Sequence, residues 1–275
     1  MQSSVVNALT VDFEDWYQGL EIPIERWAGF EDRIEHAGRT ILGLFSDAGT
    51  LGTFFVLGAV AERYPQLVGE IAAQGHEIAT HGYSHRLIYQ QTKPAFREEL
   101  RRSIAVLEDL AGARVIGHRA PFFSITSQSL WALDVLVEEG ILYDSSIYPI
   151  HNPRYGIPRA PRWLHRVEAG GGSLEEFPIT TWELAGRRVP VGGGAYFRIW
   201  PYGLTRAAFR SINRQGRSGV FYVHPWEVDP DHPRIELPRR IGLTHYVNLA
   251  NTERRLRRLL RDFAFAPMRE VLDVD

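Results

Sequence analysis

The chain has 275 residues, 44% of them apolar and 23% charged, with a net charge of −2 and no cysteine. This is the composition of an ordinary globular protein with a core to bury, and it excludes disulfides, thiolate metal ligands and cysteine nucleophiles. The near-zero charge excludes a general polyanion binder, so nucleic acid is not an expected partner.

In chain order, residues 5–12 (VVNALTVD) read as a buried strand, and residues 33–48 place Ile34, Ala37, Ile41, Leu44 and Phe45 at helical spacing. Residues 52–57 (GTFFVL) are strand-like. A helix over 60–74, closed by Gly75, leads into a strand over 76–80. Residues 94–110 read as helix, 114–119 as extended, 127–138 as helix capped by Gly140, and 141–144 as extended. Strands alternating with helices imply parallel βαβ units, whose chemistry gathers at the carboxyl ends of the strands.

Between Tyr148 and Tyr202 the alternation breaks down. Pro149, Pro153, Pro158, Pro161 and triple glycines at 170–172 and 192–194 mark a loop-rich insertion around 148–202. The alternation resumes with a helix over 204–214, a strand over 219–223 and a helix over 252–263. With no linker-like composition shift and no repeat, residues 1–275 are expected to form one domain. The arginines at 254, 255, 257, 258 and 261 fit a solvated surface helix, since its apolar face is narrow. No stretch approaches the roughly 18 apolar residues of a membrane span, and residues 5–11 run into carboxylates without a basic start or a cleavage site. The expectation is a complete cytoplasmic chain.

Four strand ends carry chemistry. His81 and His85, four residues apart, could grip one metal ion. Ten histidines in 275 residues would supply roughly 0.4 such pairs by chance, so the spacing needs companions. Asp12, Glu14 and Asp15 at the end of the first strand offer the anionic oxygens that accompany imidazoles at a catalytic ion. One carboxylate plus the two histidines leaves coordination positions open for water and substrate. Arg119, followed by Pro121 and Phe122, could orient a carboxylate through its guanidinium fork. His224 ends a late strand, across the mouth from the first motif.

In that order, ALTVD with its following acids, GHEIATHGYSH, RAPFF and VFYVH resemble the polysaccharide deacetylase family, also known as the NodB-homology or carbohydrate esterase type. YDSSIYPI, EFPITTW, VGGGAYFR and FYVHPWEVDP are similar to a subgroup associated with bacterial exopolysaccharide and exosortase gene clusters. The resemblance implies an α/β fold, a distorted (β/α)7-type barrel of parallel strands. It also implies metal-dependent removal of N-acetyl groups from N-acetylhexosamine units of a bacterial exopolysaccharide or its precursor, with zinc as the expected ion.

Carried onto this sequence, the family's roles make Asp12 the base, Arg119 its orienting partner, the Phe122 N–H an oxyanion donor and His224 the acid. The metal ligands would be His81, His85 and a first-motif carboxylate. The family's adjacent aspartate pair is replaced here by Asp12-Phe13-Glu14-Asp15. A regular strand points Asp12 and Glu14 the same way and favours Glu14 as ligand, whereas a bulge would bring Asp15. The carboxylate partner of His224 has three candidates, Asp144, Glu183 and Glu227. Arg198, Trp226 and Pro121 are the expected substrate contacts. Hydrolysis of another C–N bond, as in ureides, and a catalytically silent saccharide-binding module are the alternative functions.

Overall fold

A computed structural model describes residues 5–152 and 154–274; Pro153 lies outside the described residues. In chain order the elements are β1 Val6–Phe13, α1 Ile34–Asp47, β2 Thr53–Val56, α2 Gly58–Arg63, α3 Pro65–Ala73, β3 Glu77–Thr80, α4 Lys93–Ala111, β4 Gly117–His118, α5 Trp131–Glu138, β5 Tyr143–Asp144, β6 His165–Ala169, β7 Gly172–Glu176, β8 Thr181–Leu184, β9 Arg187–Pro190, α6 Gly194–Ile199, α7 Tyr202–Arg214, β10 Val220–Val223, α8 Arg239–Tyr246, α9 Thr252–Asp262, β11 Ala264–Ala266 and α10 Met268–Leu272.

Seven strands, in the order β10-β1-β2-β3-β4-β5-β7, pair in parallel throughout. β6 adds to β7 antiparallel, and β11 pairs with the start of β1. No regular strand pairing joins β7 to β10. Instead Tyr222 bridges to Gly193 and donates its N–H to the Gly192 carbonyl (2.7 Å), while Val220 N–H donates to Thr180 Oγ1 (2.6 Å). The result is a distorted (β/α)7 barrel whose last seam is made by irregular backbone.

Pleating of β1 sorts its side chains into two layers. Leu9, Val11 and Phe13 join the apolar layer beneath the helices, whereas Ala8 belongs to an interior cluster with Phe55, Ala79, Ile116, Tyr143 and Tyr222. Thr10 and Asp12 share the parity of Ala8 and therefore face the barrel axis. At Gly117 any Cβ would collide with the Tyr143 ring, so glycine there lets β4 close on β5.

The expected insertion proves more regular than its composition suggests. It holds the seventh parallel strand, β7, together with its antiparallel neighbour β6 and the separate hairpin β8–β9. The sequence of β7 is GSLEE, with one large apolar residue, so no apolar run marks it. The helix expected over 60–74 is two helices broken at Tyr64, where Pro65 opens the second. Among the described residues no helix is long and apolar enough to cross a membrane.

Candidate active site

Four strand ends converge at one mouth of the barrel. Asp12 and Glu14 leave β1, His81 and His85 follow β3, Arg119 follows β4 and His224 follows β10. The two imidazoles are not on a helix. They sit in an irregular loop in which Gly82 (φ 78) and His85 (φ 57) both take left-handed backbone. That reversal brings the rings back to 5.2 Å between centroids. A non-glycine residue in this region of φ/ψ is uncommon and marks a position held by its surroundings.

Glu14, His81 and His85 form the one group of three or more such donors found among the described residues, with one ligand atom from each within 4.8 Å of the others. The donor set fits a divalent ion. His81 Nδ1–H donates to the Arg119 carbonyl (2.7 Å), which fixes the tautomer and leaves Nε2 with its lone pair. Burial, with the neighbouring His85, holds the His81 pKa well below the usual imidazole range. Glu14 Oε2 lies 2.6 Å from His85 Nε2 but has no hydrogen-bond partner, as two donors aimed at a common third atom would. Burial raises the Glu14 carboxyl, and the neighbouring imidazoles, His85 first and then His224 and His81, more than reverse this, leaving it lowered.

Asp15 stands apart from this group, so the structure gives no support to its expected place as a ligand. Its Oδ1 accepts from Trp16 N–H (2.8 Å), and its Oδ2 accepts from Arg33 N–H (2.8 Å) and Ile34 N–H (3.0 Å), the amides that open α1. It ties the chain after β1 to a helix N-terminus, where a carboxylate is favourable. Burial nevertheless pushes it up to about 6 against those hydrogen bonds.

Arg119 is fully buried and spends its fork on the site. Nη1 donates to Asp12 Oδ1 (2.7 Å) and Thr10 Oγ1 (2.7 Å), Nε to the Ser145 carbonyl (3.0 Å) and Nη2 to Ser145 Oγ (2.9 Å). Asp12 Oδ2 is left facing His224 Nε2 at 3.8 Å. Of the three candidate partners for His224, Glu227 is the one in place. It accepts from His224 Nδ1–H (3.0 Å) and from the His224 backbone N–H (3.0 Å). Asp144 instead accepts from His118 Nδ1–H (2.7 Å), and Glu183 pairs with Arg162 on the surface. Burial lowers the His224 pKa, but the hydrogen bond and charge of Glu227, with Glu14 and Asp12, lift it to about 9.

Of the expected substrate contacts, Arg198 lines the cavity but has its donors committed to the protein's own groups, and Pro121 lies off the cavity. Arg198, 1% exposed, donates to Glu227 Oε1 (2.6 Å) and to the carbonyls of Thr244, His245 and Val247, which leaves it committed inside the protein. Pro121 is buried at the start of a tight turn and lines a small separate pocket rather than the cavity walled by Asp12, Glu14, His81, His85 and His224. Trp226 does line that cavity, stacked on His224 at 5.2 Å and on His245 at 4.3 Å between centroids, with its indole N–H 3.4 Å from Glu14 Oε1. Phe122, in left-handed backbone (φ 53), lines it too, its ring 4.5 Å from that of His85.

Replacing Arg198 by alanine leaves Oε1 of the buried Glu227 carboxylate without its charged partner, while Oε2 keeps His224. The loss should be about 3–5 kcal/mol of stability, as for other broken buried pairs, read as a lower midpoint in chemical denaturation with an unchanged slope.

Residues 27–136 match the sequence profile described as polysaccharide deacetylase. That segment, residues 27–136, is assigned to the polysaccharide deacetylase family. Residues 145–273 match a second profile, a domain of unknown function (DUF3473). His224, its partner Glu227 and much of the cavity wall therefore come from the segment with no assigned role.

The peptidoglycan-N-acetylglucosamine deacetylase of Bacillus cereus is 33% identical over 95 residues, 34% of this chain and 34% of that protein. The chain matches such curated relatives over only part of their own length, from 27% to 61%. Two solved structures share the fold. A Mycobacterium smegmatis protein described as a polysaccharide deacetylase is 20% identical, with a TM-score of 0.63 over 99% of this chain and 91% of that one. Puue allantoinase is 15% identical, with a TM-score of 0.64 over the same shares.

Arg154, Tyr155 and His245 also line the cavity and carry no motif that reveals them. Arg154 lies in the proline-rich stretch, and His245 lies on α8, a helix the sequence pattern does not indicate.

Proposed function

We propose that the protein is a metal-dependent hydrolase that removes N-acetyl groups from N-acetylhexosamine units of an exopolysaccharide or its precursor. The observation that carries the reading is the position of Asp12. Arg119 holds it at 2.7 Å on one side and it faces His224 Nε2 at 3.8 Å on the other, in the same cavity as Glu14, His81 and His85. A base, an acid and three metal-ligating groups thus surround one small space, which is what hydrolysis of an unactivated amide requires.

Glu14, His81 and His85 would hold the ion, and their nitrogen and oxygen donors suit zinc. When bound, such an ion lowers the pKa of water toward about 7 and polarises a carbonyl oxygen. Asp12, with Oδ1 occupied by Arg119, accepts the proton of the attacking water on Oδ2. The backbone N–H of Phe122 donates to the developing oxyanion, a contribution typically worth about 10²- to 10³-fold in rate. His224, protonated at neutral pH through Glu227, gives its Nε2 proton to the departing amine nitrogen. Proton return from Asp12 to His224 then resets both groups.

The acid role fixes the sign of one pH effect. Activity that needs protonated His224 is present at neutral pH and lost as pH rises through about 9. Glu227→Gln removes the charge that opposes burial, so the alkaline limb of the kcat profile should move toward neutral pH. An unmoved limb would take the acid role from His224. The function itself is tested by incubating metal-loaded protein with N-acetylglucosamine oligomers and measuring released acetate.

A further inference from the structure

Two cavities adjoin at this site. The catalytic cavity holds about 180 Å³, less than the roughly 300–1,000 Å³ of small-molecule sites, and a groove of about 730 Å³ lies beside it. His85 lines both. The chain after β1 also walls both, with Gly19 and Leu20 on the cavity and Glu21 to Glu25 on the groove. At that changeover Glu21 pairs with Arg154, which reaches across from the opposite wall of the cavity.

Among the described residues two arginines line the cavity, and they are in opposite states. Arg198 has its donors spent on Glu227 and three carbonyls. Arg154 has one carboxylate partner, Glu21, on a loop half open to solvent. Its guanidinium lies 4.1 Å from the centre of the Phe122 ring, and its Nε is buried without a hydrogen-bond partner. A buried charged donor left unmet is costly, and an anion that takes both edges of the fork relieves that cost. The groove offers no rival position, since Glu21, Glu25, Glu98 and Glu99 outnumber Arg86 and Arg102 along it.

We infer that Arg154 is a specificity-determining residue: on substrate entry it exchanges Glu21 for an anionic group of the saccharide, a carboxylate or a phosphate, carried close to the N-acetyl group. This rests on the N-deacetylase reading and adds an acidic substrate class to it. The acidic groove then acts against misplacement of the same anion.

The test compares three probes: neutral diacetylchitobiose, an N-acetylated disaccharide containing a uronic acid, and UDP-N-acetylglucosamine. Wild-type kcat/KM should favour an anionic probe over the neutral one by about tenfold or more, a factor worth 1.4 kcal/mol. Whichever anionic probe is favoured names the source of the anion. Arg154→Gln should bring the ratio to within about twofold of one, Arg154→Lys should leave it intermediate because the fork is lost but not the charge, and Glu21→Gln should raise it. A wild-type ratio near one for both anionic probes, or a ratio that survives in Arg154→Gln, would overturn the inference, as would an equal loss on all three probes. If no probe releases acetate, the N-deacetylase reading fails, while calorimetric binding of the same probes to wild type and Arg154→Gln still decides the role of Arg154.

Discussion

Asp12→Asn should keep its metal and lose about 10²- to 10⁴-fold in kcat, the span usual for a positioned base. Asp12 is outside the group formed by Glu14, His81 and His85, so the substitution leaves every proposed ligand intact. The asparagine oxygen can still accept from Arg119, which limits the cost of leaving that buried cation without its charge partner. What disappears is a basic oxygen on the side facing His224. Metal content by mass spectrometry, set beside acetate release, separates the two effects. Normal turnover in Asp12→Asn would rule Asp12 out as the base.

His81→Ala should give the opposite pattern, with metal and turnover lost together. His81 Nδ1–H is anchored on the Arg119 carbonyl at 2.7 Å, so its Nε2 is delivered in one orientation to the point shared with Glu14 and His85. Loss of a ligand's outer hydrogen-bond partner typically costs about 10- to 100-fold in metal affinity, and loss of the ligand itself should exceed that. The check is metal retained after dialysis against a weak chelator. Retention equal to wild type would show that the ion, if present, is held elsewhere.

The residues that could be read in the sequence are those at the ends of apolar runs. β1, β2, β3 and β10 are four or more residues long and buried along almost their whole length, so their ends are visible as changes from apolar to polar. Asp12, His81 and His224 stand at or just beyond such changes, whereas Arg119 follows the two-residue strand β4. The two-residue period also separates Glu14 from Asp15, because Glu14 shares the parity of Asp12 and Asp15 does not.

Other features depend on contacts distant in sequence. The commitment of Arg198 is set by carbonyls 46 to 49 residues away, and that of Asp15 by amides 18 and 19 residues away. A polar residue in a glycine- and aromatic-rich tract reads the same whether it serves substrate or backbone, and only packing separates the two. β7 escapes because its glycine, serine and glutamates give it no apolar period. Glu227 becomes the partner of His224 through one 3-10 turn, in which the glutamate three residues on folds back to cap the histidine.

Acetate released from an N-acetylglucosamine oligomer by protein carrying one divalent ion per chain, before and after chelation, tests the central claim most directly. The predicted result is stoichiometric acetate that disappears on chelation and returns when zinc is restored. Full metal occupancy with hydrolysis of a ureide but no acetate, or sugar binding without any metal, would contradict it.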